Sequence, residues 1–396
     1  MIRILTFILS FSCTLTVFSQ NIWTQKTSFP GIQRDDATGF SIGSKGYVGT
    51  GMDVGFQLKN DFWQYDSSND SWSQIADFGG TPRQYCVSFS INGKGYVLTG
   101  IDNTGQYKND VWEYDNVLNS WSQRISLPGP GRSGAAGFTI NNKGYVGTGY
   151  DGTNYYDDFW EYEPASDTWT AILNFPGIAR YVAAAFAVGG NGFVGTGKTS
   201  GNLLLDDFYE YDPTTNIWTQ KTNFPGTARF SAEGFSLLQF GYIGTGLDAN
   251  GTYCNDFYAY NYFTDSWSPA ATLPGISRKG PASFTINDKA YLGTGIDSTN
   301  TRLNDWWEYS SMVGLNESEE SFNISVTPNP ATDFCLVSSS QKISHVELFD
   351  LNGKVVTSLF TNDNRVQISL INIPKGIYLY RIHLESGSVF GKLVLH

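Results

Sequence analysis

The chain has 396 residues, a formal net charge of −12, 43 glycines and 15% aromatic residues. So acidic a chain does not fit general affinity for DNA, RNA or anionic lipid, all of which require a basic surface. Abundant aromatics with frequent glycine point to many short strands joined by tight turns.

The N-terminus reads as an export signal over residues 1–19. Arg3 supplies the positive charge, Ile4 to Phe18 is mostly apolar, and Val17-Phe-Ser19 offers a cleavage site before Gln20. The apolar run is too short for a comfortable membrane span. The mature chain then holds Cys86, Cys254 and Cys335. These are few, odd in number and scattered, so they are expected to be buried small hydrophobes rather than a disulfide framework.

From there the sequence repeats. Trp23, Trp72, Trp121, Trp169, Trp218 and Trp267 recur every 48 or 49 residues. Eleven residues after each comes an arginine: Arg34, Arg83, Arg132, Arg180, Arg229 and Arg278. The last Gly of a "GTG"-like triplet follows seventeen residues later, then Asp61, Asp110, Asp158, Asp207, Asp256 or Asp305. In the fourth unit, strands are expected near Val182–Val188, Gly192–Thr196 and Phe208–Tyr211, with another starting around Trp218. Turn clusters such as Gly189-Gly190-Asn191 separate them. Four short strands per repeat of about fifty residues mark a β-propeller blade.

There are six Arg-to-Asp units, but the sixth has Asn316 where its Trp should fall. The orphan Trp23 lies in "NIWTQKTSFPG", which closely matches "NIWTQKTNFPG" at 216–226. The N-terminal strand is therefore expected to complete blade six and close the ring. Residues 20–310 thus predict an all-β, six-bladed propeller. Through "F-x-I-x-x-K-G-Y-V-G-T-G…N-D-F-W-E-Y-D…W" this region resembles the kelch-repeat, galactose-oxidase-like propellers. It departs from the usual pattern in carrying Thr-Gly where a Gly-Gly pair is common.

Residues 311–321 are polar, with Glu317, Glu319 and Glu320, and read as a linker. Residues 322–396 switch to alternating strands with turns at Asn352-Gly353 and Ser386-Gly387, which fits a small β-sandwich. "PNPATD" at 328–333, "DLNGK" at 350–354, "KGIYLYRI" at 375–382 and "GKLVLH" at 391–396 resemble the type A sorting domain of the Bacteroidota type IX secretion system. The resemblance implies the type IX machinery as a partner, and a secreted or cell-surface location.

Catalytic chemistry is sparse. His345, His383 and His396 all lie in the C-terminal region, so the propeller has no histidine. Copper-oxidase chemistry of the galactose-oxidase kind, Cys/His zinc sites and a Ser-His-Asp triad are therefore not available to the propeller. No catalytic residue, metal or cofactor is expected. "DNTG" at 102–105, "DGTN" at 151–154 and "DANG" at 248–251 lack the later ligands of a calcium loop and fit Asx-turns. "GFVGTGKT" at 192–199 matches a phosphate-binding loop. In register, however, it is the second strand of a blade with no helix after it, so no nucleotide is expected.

The six arginines admit two readings. Each either bridges to an Asp of its own or an adjacent blade, or joins a cationic ring at the channel mouth that receives a carboxylate, phosphate or acidic sugar. Their regularity favours the first, since a binding site needs asymmetry. Asymmetry appears beside them, at Gln84, Tyr181, Phe230 and Lys279, and at Lys198 in the following loop. A ligand is expected on that face, because loops on a rigid scaffold carry function. The chain reads as a monomeric, exported propeller that binds a protein or glycan. An enzyme on an anionic sugar, as in the kelch-type sialic acid epimerases, and a purely structural surface component are the alternatives.

Overall fold

The computed structural model describes residues 22–310, 324–350, 355–384 and 387–396. The expected export signal, the linker at 311–321, the Asn352-Gly353 turn and Ser386 lie outside these residues. The chain forms two compact units, described separately below. Among the described residues no helix is long and apolar enough to cross a membrane.

The larger unit contains six four-stranded antiparallel sheets. The first runs through Thr38–Ile42, Lys45–Gly49, Phe62–Asp66 and Ser71–Gln74, and each later repeat builds its own copy. In the sixth, the outer strand comes from the other end of the unit. Ile22–Lys26 pairs antiparallel with Trp306–Ser310, setting Trp23 opposite Tyr309. The ring closes as the orphan Trp predicted.

Two contacts weld each blade to the next. The indole Nε1 of every repeat Trp donates to a backbone carbonyl of the preceding blade, from Trp72 to Thr27 and on to Trp267 to Thr222. Trp23 completes the set by donating to Ala271 O at 2.8 Å. Deeper in, the ring of Phe40 lies where a Cβ on Gly95 would stand, only 2.1 Å from its nearest carbon. Phe89, Phe138, Phe186 and Phe284 stand likewise over Gly144, Gly192, Gly241 and Gly46. The Gly before the second strand's aromatic residue therefore makes room for the neighbouring blade's ring in five blades, and blade six carries Ala290 there.

The Thr-Gly departure also has a physical cause. In blades two to six the Thr hydroxyl accepts the first amide of the innermost strand, at 3.1 to 3.4 Å. A glycine could not satisfy that donor. These threonines hold φ near +60°, which is costly for a β-branched residue.

The smaller unit is one five-stranded sheet. Its long strand Phe334–Phe349 pairs with Ser325–Thr327, Val355–Ser369 and Gly376–Leu384, and Gly387–Leu395 forms an edge. The expected sandwich is thus drawn from one sheet. A register shift between Ser338 and Ile343 interrupts the long strand. Cys335 and Val337 before it share one apolar core with Val346 and Leu348 after it. Cys254 and Cys335 are buried, Cys86 is half-buried, and all three are free thiols.

Because the Trp23 indole and its strand help join the two ends of the propeller, Trp23→Ala should loosen the seam. Loss of a buried Trp costs about 3–5 kcal/mol. Thermal unfolding of the variant should begin well below that of the parent, and an unchanged midpoint would show that the seam does not depend on this strand.

Candidate functional site

The six repeat arginines are buried to 1% exposure or less. Each Nη1 donates to one oxygen of the Asp of its own blade at 2.5 to 2.7 Å, and each Nη2 to the other at 2.7 to 3.0 Å. The same Nη1 reaches the carbonyl of the repeat Thr at 3.0 or 3.1 Å. Four guanidiniums lie over a Phe five residues before them, at 29, 78, 175 and 224, and Arg132 lies over Tyr156 instead. The Arg carbonyls also serve the backbone. Gly51, Gly100, Gly149, Gly197, Gly246 and Gly295 each donate their N–H to the Arg of the next blade at 2.7 or 2.8 Å, with Gly295 closing the circle on Arg34. A ring of exposed guanidiniums receiving a ligand does not match this arrangement. With both faces of the fork occupied and no exposed surface, the arginines tie strand ends together.

The arginines also stand outside the innermost strands. In the first repeat, Arg34–Asp35 pairs with Met52–Asp53 in a small separate ladder, and the innermost strand starts only at Thr38. The break comes from residues in the left-handed region, Asp36, Tyr85, Gly134, Val182, Ser231 and Gly280, with φ between 48° and 59°. Each donates its N–H to the carbonyl of the one before it at 2.7 to 3.3 Å, and Asp36 donates to Gly280. Six backbone hydrogen bonds thus make a closed ring around the channel. No common side chain marks this ring in the sequence, which is why it escaped notice there.

Around the ring, each blade presents a row of three residues joined by bridges. The rows are Asp35-Met52-Leu58, Gln84-Ile101-Tyr107, Ser133-Tyr150-Tyr155, Tyr181-Lys198-Leu204, Phe230-Leu247-Tyr253 and Lys279-Ile296-Arg302. All five asymmetric positions singled out from the sequence fall in these rows. Lys198 and Lys279 both place their ammonium over the Phe230 ring, 5.3 and 5.2 Å from its centroid. Tyr181 joins an aromatic cluster with Tyr150 and Tyr155, at centroid distances of 5.5 and 5.6 Å. Gln84 belongs to the second blade's row, whose Tyr107 ring lies 6.0 Å from that of Tyr150.

The pairing of the propeller's cations is uneven. All eight described propeller arginines lie within 4.0 Å of a carboxylate, and so do eight of its ten lysines. The two lysines with no such partner among the described residues are Lys198 and Lys279. They are half-buried and flank one ring.

Two acids held above the ordinary carboxylate range, half-buried Glu233 and buried Asp36, were not singled out from the sequence. Glu233 begins the innermost strand of blade five, where other blades carry Thr, Val or Ala. It borders the central cavity of 370 Å³ and accepts from Ser283 Oγ at 2.7 Å, and burial pushes its carboxyl up to about 7. Asp36, in the backbone ring, is pushed up to about 8, by burial first and by neighbouring Asp35 second. Tyr85 hydrogen-bonds it, while Arg302 Nε donates to Asp35 at 2.5 Å.

The loop acids behave as turn formers. Asp102 Oδ1 accepts the amides of Thr104 and Gln106, Asp248 Oδ1 those of Asn250 and Thr252, and Asp151 Oδ1 those of Thr153 and Asn154. In "GFVGTGKT" the amides of Thr196, Gly197, Lys198 and Thr199 go to Asp207, Arg229, Tyr181 and Leu203 carbonyls. None is left to wrap a phosphate.

Comparison with known proteins agrees with these features. Residues 12–178 match the KLHDC2/KLHL20/DRC7 Kelch-repeats domain, and residues 325–396 match the Secretion system C-terminal sorting domain. No curated protein sequence matches the chain. A solved structure titled "Structure of YjhT" is similar with a TM-score of 0.63 and 17% identity, over 72% of this chain and 97% of that one. The ring is a kelch-type propeller, and the sorting domain marks the chain for secretion to the cell surface.

Two outcomes follow from the buried groups. Arg180→Met leaves Asp207 without its fork. Breaking a buried pair costs about 3–5 kcal/mol, so chemical denaturation should show a large loss of stability, and a stable variant would return the arginines to a ligand role. Asp36 has a folded pKa above its unfolded value, so its contribution is fullest below the ordinary carboxylate range and falls as pH rises towards 8. Asp36→Asn abolishes that dependence. The melting temperature of Asp36→Asn relative to the parent should therefore rise between pH 5 and pH 9, and parallel curves would refute the burial effect.

Proposed function

We propose that this secreted kelch propeller binds an acidic glycan on the face built by the six rows, with Lys198 and Lys279 receiving the carboxylate groups. One observation carries the reading. In a chain of net charge −12, every other described propeller cation lies within 4.0 Å of a carboxylate, whereas the two ammoniums without such a contact converge on Phe230, and Lys279 acts on Asp35 and Asp36 only from farther away. A half-buried ammonium with no carboxylate in contact keeps its donors for a ligand, and the lower dielectric of partial burial strengthens its attraction for an anion relative to open solvent.

The neighbouring tyrosines fit the same ligand class. Tyr150, Tyr155 and Tyr181 present amphipathic rings beside Lys198, suited to sugar faces with hydroxyls to satisfy. Each is half-buried and held against the others, so little side-chain freedom is lost on binding. The surrounding ladder is backbone-paired and therefore pre-organised. The site is formed by residues that differ between blades, standing on a frame that does not.

Titration calorimetry with polygalacturonate, against a neutral glucan of similar length, tests this. The parent should bind the acidic chain selectively, and the affinity should fall with added salt. Lys198→Glu with Lys279→Glu should lower it by about tenfold or more without changing the melting temperature. Equal binding by the charge-reversed protein, or no preference for the acidic chain, would overturn the proposal. Capture of a protein partner by a propeller that ignores both polysaccharides would do the same.

A further inference from the structure

The C-terminal sheet gathers the chemistry that the propeller lacks. Alternation along a strand puts residues two apart on one face, so His345 and Glu347 project together from Phe334–Phe349. The adjoining strand Gly376–Leu384 sets His383 directly opposite His345, and Arg381 opposite Glu347. The two imidazoles stack, with centroids 5.2 Å apart and 14° between their planes. Phe360, from the strand on the other side, covers the far face of His345 at 3.9 Å.

One nitrogen from each histidine and one oxygen of Glu347 lie within 4.8 Å of one another. His383 Nε2 is 3.0 Å from Glu347 Oε2, and Arg381 Nε is 2.8 Å from the same oxygen. His345 Nε2 is 2.7 Å from Ser358 Oγ. The histidines and the glutamate are all half-exposed, so an ion can reach them.

We propose that His345, Glu347 and His383 form a binding site for a divalent transition-metal ion, with Zn²⁺ the expected occupant. The donor set is two imidazoles and one carboxylate, which zinc accepts with bonds of about 2.0–2.2 Å and a fourth position open to water. Bringing the three ligand atoms to that spacing asks only for rotation of side chains on an open sheet face. Copper and nickel would compete for such a set, while calcium and magnesium prefer all-oxygen ligands. Ser358 and Arg381 are positioning residues. Ser358 orients the His345 ring, and Arg381 holds the carboxylate while lending the site a positive charge that keeps the affinity moderate. Bound metal would pin neighbouring strands of the sheet together, and so stabilise the sorting domain in proportion to its occupancy.

The test uses the full chain without a histidine tag, stripped of metal with EDTA. Calorimetry with ZnCl₂ alone should give one site per chain, while CaCl₂ should give none. His383→Gln and Glu347→Gln should each weaken Zn²⁺ by about tenfold or more, whereas His396→Ala should not. If those variants fold poorly, the parent alone still decides. In heteronuclear spectra of its imidazoles, Zn²⁺ should shift two of the three histidines and leave His396 unmoved. No heat of binding, an isotherm unaffected by either variant, or shifts confined to His396 would each overturn the site.

Discussion

Everything in the propeller is hung on the buried arginine of each blade. Its fork grips the Asp at the start of the third strand, its Nη1 also caps the Thr carbonyl at the end of the second, and its own carbonyl receives the Gly amide of the preceding blade. One residue thus joins two points of its own blade to the preceding blade. Burying a charge is expensive, and a buried ion pair seldom stabilises more than apolar packing would. What it supplies here is direction. A planar fork has one orientation that satisfies a carboxylate bidentately, so six copies impose one geometry on six strand ends.

That geometry fixes where variation is tolerated. The residue after each arginine is already paired across the small ladder by its backbone, so the repeat geometry does not dictate its side chain, and at Asp35 that side chain instead holds Arg302. Asp35, Gln84, Ser133, Tyr181, Phe230 and Lys279 accordingly share nothing but position. Just inside, the left-handed residues close the channel with backbone groups alone. Two of the six are glycine, and a Cβ at Gly280 would meet Asp36 Oδ1 at 2.2 Å. The Asp36 side chain therefore occupies space that its neighbour vacates, which is how a carboxyl comes to be buried in the backbone ring.

The repeats were legible in the sequence because each repeated spacing corresponds to a side-chain contact that recurs in five or all six blades. Trp donates to a carbonyl, Phe covers a Gly, and Arg grips an Asp, so residue identity and structural role coincide. Features made by backbone left no such trace. The closed ring runs through Asp, Tyr, Gly, Val, Ser and Gly, which no pattern would group. The lone state of Lys198 and Lys279 was hidden for another reason, since it is defined by the pairing of all the other cations. The juxtaposition of His345 with His383 depends on a strand register that a shift after Ser338 resets, and alternation alone does not predict where a register will slip.

The stretch "GFVGTGKT" shows how one segment can resemble one chemistry and serve another. A phosphate loop works through free amides, and here strand pairing and the Arg229 carbonyl have consumed them. What the fold cannot consume is the lysine side chain. In most other blades the residue at its position is apolar, and the next is an Asp whose carboxylate accepts amides of its own loop. Blade four has Thr199 there instead. In blades one and two the corresponding Asp also holds a loop lysine, Lys59 or Lys108. Blade four lacks both that Asp, replaced by Thr199, and the loop lysine, replaced by Leu205. The Lys-Thr pair that made the motif look like a nucleotide loop is thus the local departure that places an ammonium beside Phe230.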